Sequence, residues 1–216
     1  ACRRVAKHGG RLHAFAVGRV LEQENVDWLK SIAQAGHPIG NHTYDHVNVK
    51  AAKPEDVQHR FRRSPWLIEG QEVGKVIAEN VRLTTAALKS RIGAAAAGFR
   101  TPGGFPNGLD DAPDIRRMLL DQGFRWVSSK YPKHPPPKPE IEPDSTFEER
   151  VVAALDDSQP YAYPDGLIEV PMSAISDINA FRNGRWKLDW FLRLLRKVVK
   201  RAIADVERGY GKLDLH

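Results

Sequence analysis

The sequence predicts an α/β protein built on a parallel sheet, either doubly wound or closed into a barrel. Three observations carry this reading. Short apolar runs rich in β-formers alternate with longer stretches that repeat at helical spacing. Glycines, prolines and capping residues punctuate the junctions. The β-then-α alternation continues along the chain with no internal repeat and no linker that would split it, which favours parallel strands joined by crossover helices.

The elements follow in order. Arg3, Arg4 and Lys7 before Gly9-Gly10 read as the last turns of a helix and its cap. Leu12 to Val17 is a first strand, and Asn25 caps a helix carrying Val26, Leu29, Ile32 and Ala33 as far as Gly36. Pro38 to Asn41 is a second strand. Pro54 opens a helix through Arg63, and Val73, Val76, Ile77, Val81, Thr84 and Leu88 mark another that ends before Gly93. Gly98 to Thr101 reads as the end of a third strand, and residues 102–109, PGGFPNGL, as turn chemistry. A helix near Ala112 to Gln122 and a strand at Phe124 to Ser129 come next. The six prolines between Tyr131 and Pro143 predict a loop, after which Ser145 with Glu148 matches a capping box for a helix reaching Leu155. Leu167 to Val170 is another strand. A long helix from Lys187 to Glu207 places Phe191, Leu194, Leu195, Val198, Val199, Ala202, Ile203 and Val206 on one face, with Arg193, Arg196, Lys197, Lys200 and Arg201 on the other. Gly209 and Gly211 close it, and Lys212 to Leu215 forms the last of six candidate strands. The helix fragment at the start implies a seventh strand upstream.

Composition bounds the function. With 216 residues, 41% hydrophobic and 28% charged, the chain can bury the core of one large domain and is not collagen-like, low-complexity or a disulfide scaffold. The single cysteine, Cys2, cannot form an internal bridge. Lys plus Arg number 33 against 27 Asp plus Glu; the net +6 is a modest excess, and the basic helix face reads as a solvated outer face, so no nucleic-acid partner is expected. No apolar run approaches the roughly 18 to 20 residues that span a bilayer.

Chemistry concentrates in NHTYDH, where His42 and His46 stand four apart. In a helical turn their Cβ atoms would lie about 5–6 Å apart on one face, and two imidazoles so placed can share a metal ion. Spacing alone fits polar surface histidines as well. Position adds to it: His42 follows the second strand, Arg100 ends the third and His216 ends the last, and β/α barrels gather active sites at those carboxyl ends. Trp126, Trp186 and Trp190 read as packing residues before sugar platforms, Asp177 and Arg182 as a loop cap or ion pair, and His134 as an exposed loop histidine.

GHPIGNHTYDH (residues 36–46), GFRTPGG (98–104) and the terminal LDLH (213–216) together resemble, in order, the motifs of the polysaccharide deacetylases, the NodB-homology or family-four carbohydrate esterases. The resemblance implies a distorted (β/α)7 barrel. It implies that His42 and His46 are ligands of a divalent metal, usually zinc, that Arg100 orients a catalytic aspartate, and that His216 is the general acid. It also implies that Pro102, Gly103, Gly104 and Phe105 line the substrate groove and offer a backbone N–H to the oxyanion. The implied reaction removes N-acetyl groups from carbohydrate. A metal polarises the amide carbonyl and brings the pKa of water toward about 7, a carboxylate takes the proton, and a protonated imidazole delivers one to the amine.

Two departures limit the resemblance. The family's Thr-Phe-Asp-Asp-Gly motif, source of the base and of a third metal ligand, is absent, and Asp45, Asp110 and Asp111 do not stand in that context. The expectation is therefore a single domain over residues 1–216 that lacks its first strand, is cut short at both ends, and is inactive as it stands. In GFRWVSSKYP (123–132), which resembles the Tyr-Asp-Ser-Ser stretch of one branch, Val127 replaces the aspartate that supports the catalytic histidine. A related C–N or O-acetyl hydrolase, or a non-catalytic carbohydrate-binding protein, stays open beside the deacetylase reading.

Overall fold

A computed structural model describes residues 1–174 and 176–208. The protein is α/β; its described residues form six strands in a mostly parallel sheet, in the spatial order β1 (Ala14–Ala16), β2 (Ile39–Asn41), β3 (Phe99–Phe105), β4 (Trp126–Lys130), β6 (Ile168–Glu169) and β5 (Tyr161–Ala162), the architecture expected of a (β/α)7 barrel. The chain divides into two compact units. Ala1–Gly103, Ala112–Val127 and Asp165–Leu167 make the first; Gly104–Asp111, Ser128–Pro164 and the chain from Ile168 onward make the second.

In the first unit a short helix α1 (Cys2–Ala6) precedes β1 (Ala14–Ala16), α2 (Asp27–Gln34) and β2 (Ile39–Asn41). β1 and β2 run parallel, with Ala14 beside Ile39, Phe15 beside Gly40 and Ala16 beside Asn41. The Asn25 side chain accepts from the Asp27 N–H at 2.8 Å, but the N-cap position of α2 is Val26, so Asn25 stands one residue before the expected cap. The helix expected over Pro54 to Arg63 is broken: α3 (Pro54–Val57) and α4 (His59–Arg63) are separated by Gln58, whose backbone is extended. Gln58 leaves the helix because its side chain caps α4, accepting from the Arg60 N–H. Helix α5 (Val73–Ile92) ends on Gly93 in the left-handed conformation. Its apolar stripe, with Leu88 and Ile92, packs against Ala16, Leu21, Val26, Leu29 and Ile39. Helix α6 (Pro113–Asp121) completes this unit.

Strand β3 (Phe99–Phe105) corrects the sequence reading twice. Pro102 to Phe105 belong to the strand rather than to a turn, and Arg100 is its second residue rather than its end. Pro102 lacks only a donor and is compatible with extended backbone, so the turn begins after Phe105.

In the second unit β5 (Tyr161–Ala162), too short for periodicity to reveal, pairs antiparallel with β6 (Ile168–Glu169). β4 (Trp126–Lys130) begins two residues later than the apolar run suggests and passes into this unit at Ser128. Asp144, not Ser145, caps α7 (Ser145–Ala153), accepting from the Phe147 N–H at 2.7 Å. Glu148 therefore falls outside a capping box. It is buried and meets Arg193 at 2.8 Å and Lys197 at 2.5 Å, both on α8 (Leu188–Glu207). Trp190, Leu194 and Val198 of α8 pack with Val151, Ala154, Leu155, Ala174, Ala180 and Trp186. The buried row advances four residues at a time, so it continues to Ala202 and leaves Ile203 and Val206 exposed, against the expected stripe. The predicted strand at Lys212 to Leu215 and the site residue His216 lie outside the described residues. No helix among the described residues is long and apolar enough to cross a membrane.

Burial alone would raise the Glu148 carboxyl, but hydrogen bonds from Lys197 and Arg193 outweigh it and hold the group below the usual glutamate range. A depressed carboxylate stabilises the fold fully above its unfolded pKa, and that contribution disappears as pH falls through the folded value. Glu148→Gln is expected to cost about 1–3 kcal/mol near pH 7 in urea unfolding, with the difference from wild type shrinking below about pH 4. A difference independent of pH would show that the pair is not what stabilises the α7 and α8 contact.

Candidate active site

His42 follows directly on β2. Because β2 and β3 are parallel with Asn41 beside Phe99, the next residue on each strand brings His42 against Arg100. The imidazole Nδ1 lies 2.9 Å from the Arg100 carbonyl. A carbonyl oxygen only accepts, so Nδ1 carries the proton and the ring's lone pair sits on Nε2. The His46 ring stands 4.9 Å from that of His42, centre to centre, at 72°.

The sequence expectation of a helical turn does not hold. Residues 42–49 form an irregular loop in which Thr43 and His46 adopt left-handed backbone, φ 60° and 57°. Non-glycine residues hold such angles only where their surroundings impose them, and the surroundings here are dense. The Thr43 N–H donates to Asn41 Oδ1 at 2.8 Å, and Thr43 Oγ1 accepts from the Val47 N–H at 2.9 Å. The Asn41 amide in turn donates to the Val81 carbonyl at 2.8 Å and to Thr85 Oγ1 at 3.0 Å. Asn80, buried on α5, accepts from the Asp45 N–H at 2.9 Å through Oδ1, while its backbone carbonyl takes the Tyr44 N–H at 3.0 Å.

Asp45 locks the far side of the loop. Its carboxylate is 6% exposed and meets Arg19 at 2.9 Å and Arg60 at 3.1 Å, and its carbonyl accepts from the Gln58 amide at 3.1 Å. Arg100 is buried, and its guanidinium lies over the Phe15 ring, 4.6 Å from the centroid; Phe15 stacks in turn on His13 at 4.5 Å. Gly40 is required beneath this stack, since a Cβ there would come within 2.5 Å of the Phe15 ring. Of the remaining predicted residues, Pro102 is buried and has no N–H to offer, and Gly103 is exposed, its carbonyl accepting from Thr101 Oγ1 at 2.6 Å. In the second unit, Gly104 faces the Tyr131 ring, where a Cβ would clash, and the Phe105 carbonyl accepts from the Tyr131 N–H at 3.0 Å.

Two imidazoles, one with its tautomer set by a backbone carbonyl, are the donors a zinc-like ion takes. At metal–nitrogen distances of about 2.0–2.1 Å and a tetrahedral opening, two such ring centres stand about 5 Å apart, close to the observed 4.9 Å. The pair thus fits the imidazole part of a metal site. No group of three candidate ligands occurs among the described residues.

Asn41, Asn80 and Asp45 are the residues that sequence reasoning passed over. Asn80 left a signal, a polar residue on the apolar face of α5. Asp45 left none, because its partners lie 26 positions before and 15 after it.

Paired histidines just beyond a parallel strand of an α/β sheet stand where β/α folds gather their functional residues. The polysaccharide deacetylase family model matches residues 2–112, and the chain belongs to that family. No curated protein sequence matches it significantly. Among solved structures, the Puue allantoinase aligns over 99% of this chain and 55% of its own, with a TM-score of 0.61 at 16% identity. A probable polysaccharide deacetylase from Pseudomonas aeruginosa PAO1 aligns over 99% and 56%, with a TM-score of 0.57 at 15% identity. Both similarities concern the fold, and the chain spans just over half the length of each.

Asn80→Ala is expected to lower stability by about 1–3 kcal/mol, because it leaves the Asp45 N–H buried without its acceptor. It should also shift the ring resonances of His46 in NMR spectra. Leu83→Ala, on the more exposed side of the same helix, is the control and should leave those resonances in place. Unshifted His46 signals in Asn80→Ala would mean that the loop does not depend on Asn80.

Proposed function

We propose that the chain is the histidine-bearing part of a metal-dependent hydrolase that removes N-acetyl groups from carbohydrate. The observation that carries this is the pairing of His42, its tautomer fixed by the Arg100 carbonyl, with His46 at 4.9 Å, in a chain of the polysaccharide deacetylase family. His42 and His46 would hold the divalent ion, most simply zinc, which when bound polarises the acyl carbonyl and acidifies water.

The rest of the reading concerns what the chain's own residues do. The Arg100 backbone keeps His42 in one tautomer, and Asp45 with Asn80 keeps the His46 backbone in its left-handed state. The Arg100 side chain, braced on Phe15, is a fixed cation on the strand next to His42, suited to orient a carboxylate base. His216 is assigned the general acid's part, and the N–H groups of Gly103, Gly104 or Phe105 that of an oxyanion donor, on the family resemblance alone. Pro102 can serve only as wall. With two imidazoles and no third ligand among the described residues, the 216-residue chain by itself is expected to hold zinc weakly and to release no acetate.

The test is titration of the chain with cobalt(II) or zinc, alongside acetate release from an N-acetylglucosamine oligomer. Weak binding that His42→Ala abolishes is expected, with affinity falling by about 10–100-fold when Asp45→Asn loosens the loop behind His46. Binding indifferent to His42→Ala would remove the metal reading. Zinc-dependent acetate release by the wild-type chain would overturn its inactivity and strengthen the deacetylase assignment.

A further inference from the structure

The segment that closes on Asp45 carries a second feature. Arg60 and Gln58 tie α3 and α4 to the histidine loop, and the Asn48 N–H donates to the Val57 carbonyl at 2.7 Å. Along this segment Pro54, Glu55, Pro65, Trp66, Ile68 and Glu69 are among the residues that line an open groove of about 430 Å³, within the range of small-ligand sites. Trp66 is 67% exposed and Leu67 beside it 48%. A large indole held out to water beside another apolar side chain is an unusual use of surface unless something covers it.

The charge of the groove is as informative as its shape. The chain carries six more cationic than anionic residues, yet none of the residues lining the groove is Lys or Arg, and two are glutamates. The neighbouring acids are already engaged, Asp56 with Arg62 and Glu72 with Lys75. Among the described residues Glu55 and Glu69 carry no such pairing, and both line the groove with Trp66. An exposed aromatic side chain with two carboxylates is complementary to a ring that has an apolar face, hydroxyl groups at its edge and an ammonium substituent: cation–π attraction and the carboxylates both favour the ammonium there.

We infer that this groove binds a protonated amino sugar unit of a carbohydrate chain. The choice of ligand rests on the deacetylase reading, whose product is a free amino sugar, while the geometry does not. The groove would then hold the polymer by units already deacetylated and keep it beside the histidine loop, a role separate from the chemistry.

The experiment is calorimetric titration of the metal-free chain at about pH 6, where the amine is protonated, with a glucosamine oligomer and with its N-acetylated counterpart of equal length. The amino oligomer is expected to bind about tenfold or more tightly than the acetylated one and to weaken with added salt. Trp66→Ala and the double variant Glu55→Gln, Glu69→Gln should each reduce its affinity by about tenfold, whereas His42→Ala should leave it unchanged. These side chains are exposed, so folding of the variants is not at issue. Equal affinity for the two oligomers, undiminished binding by Trp66→Ala, loss of binding in His42→Ala, or no binding of either oligomer would each overturn the inference. Trp66-dependent binding without metal binding at His42 would leave the groove standing and remove only the deacetylase reading.

Discussion

The site depends on two residues held where residues with a Cβ seldom go. Thr43 is β-branched and His46 bulky, yet both sit at positive φ, at a cost of about 1–3 kcal/mol each. A helical turn would have placed the two rings on one face without strain, but it would have spent the loop's own N–H groups on i−4 carbonyls. The observed loop sends them elsewhere: Thr43 N–H to Asn41, Tyr44 and Asp45 N–H to Asn80, Val47 N–H to Thr43. Each such bond contributes only about 1 kcal/mol net. Several acting on one short loop are enough to hold both left-handed residues, and the ion pairs of Asp45 add to them.

Strand pairing supplies the other half of the geometry. The parallel register that sets Asn41 beside Phe99 is what delivers the Arg100 carbonyl to His42. A slip of one residue would exchange the faces of the strand and send the Arg100 side chain away from Phe15. Gly40 guards that register, because any larger residue would meet the Phe15 ring. Tautomer, ring position and the brace on Arg100 are thus consequences of one short run of main-chain pairing.

Much of this was legible in the sequence, and the reasons for the rest are physical. Strong periodicity located α5 and α8, and Gly93 marked the end of α5, because helix and cap are local. The meeting of His42 with His46 is legible too, although its cause is not: a four-residue spacing fits a helix, whereas Thr43 and His46 lie in a loop whose neighbouring residues Asn41, Tyr44 and Asp45 are tied to α5, far along the chain. The sequence ends β3 early because proline and glycine usually punctuate, whereas here they lie within the strand. The cap at Asp144 was missed by one position because Asp144 and Ser145 both satisfy the same rule. β5 has two residues and no period to detect.

Charge illustrates why composition stops short of function. The excess of cations invites an anionic partner, but many of these side chains are committed within the fold. Arg19 and Arg60 serve Asp45, Arg193 and Lys197 serve Glu148, Arg201 and Arg208 serve Asp205, and Lys130 serves Asp157. Three of the basic residues on the outward face of α8 are therefore ties to acids rather than a surface offered to a polymer. What a partner meets is decided locally, by which charges are left over at a given groove. Beside Trp66 those are carboxylates, so a basic chain can present an acidic site, and the sign of the whole molecule does not predict the sign of what it binds.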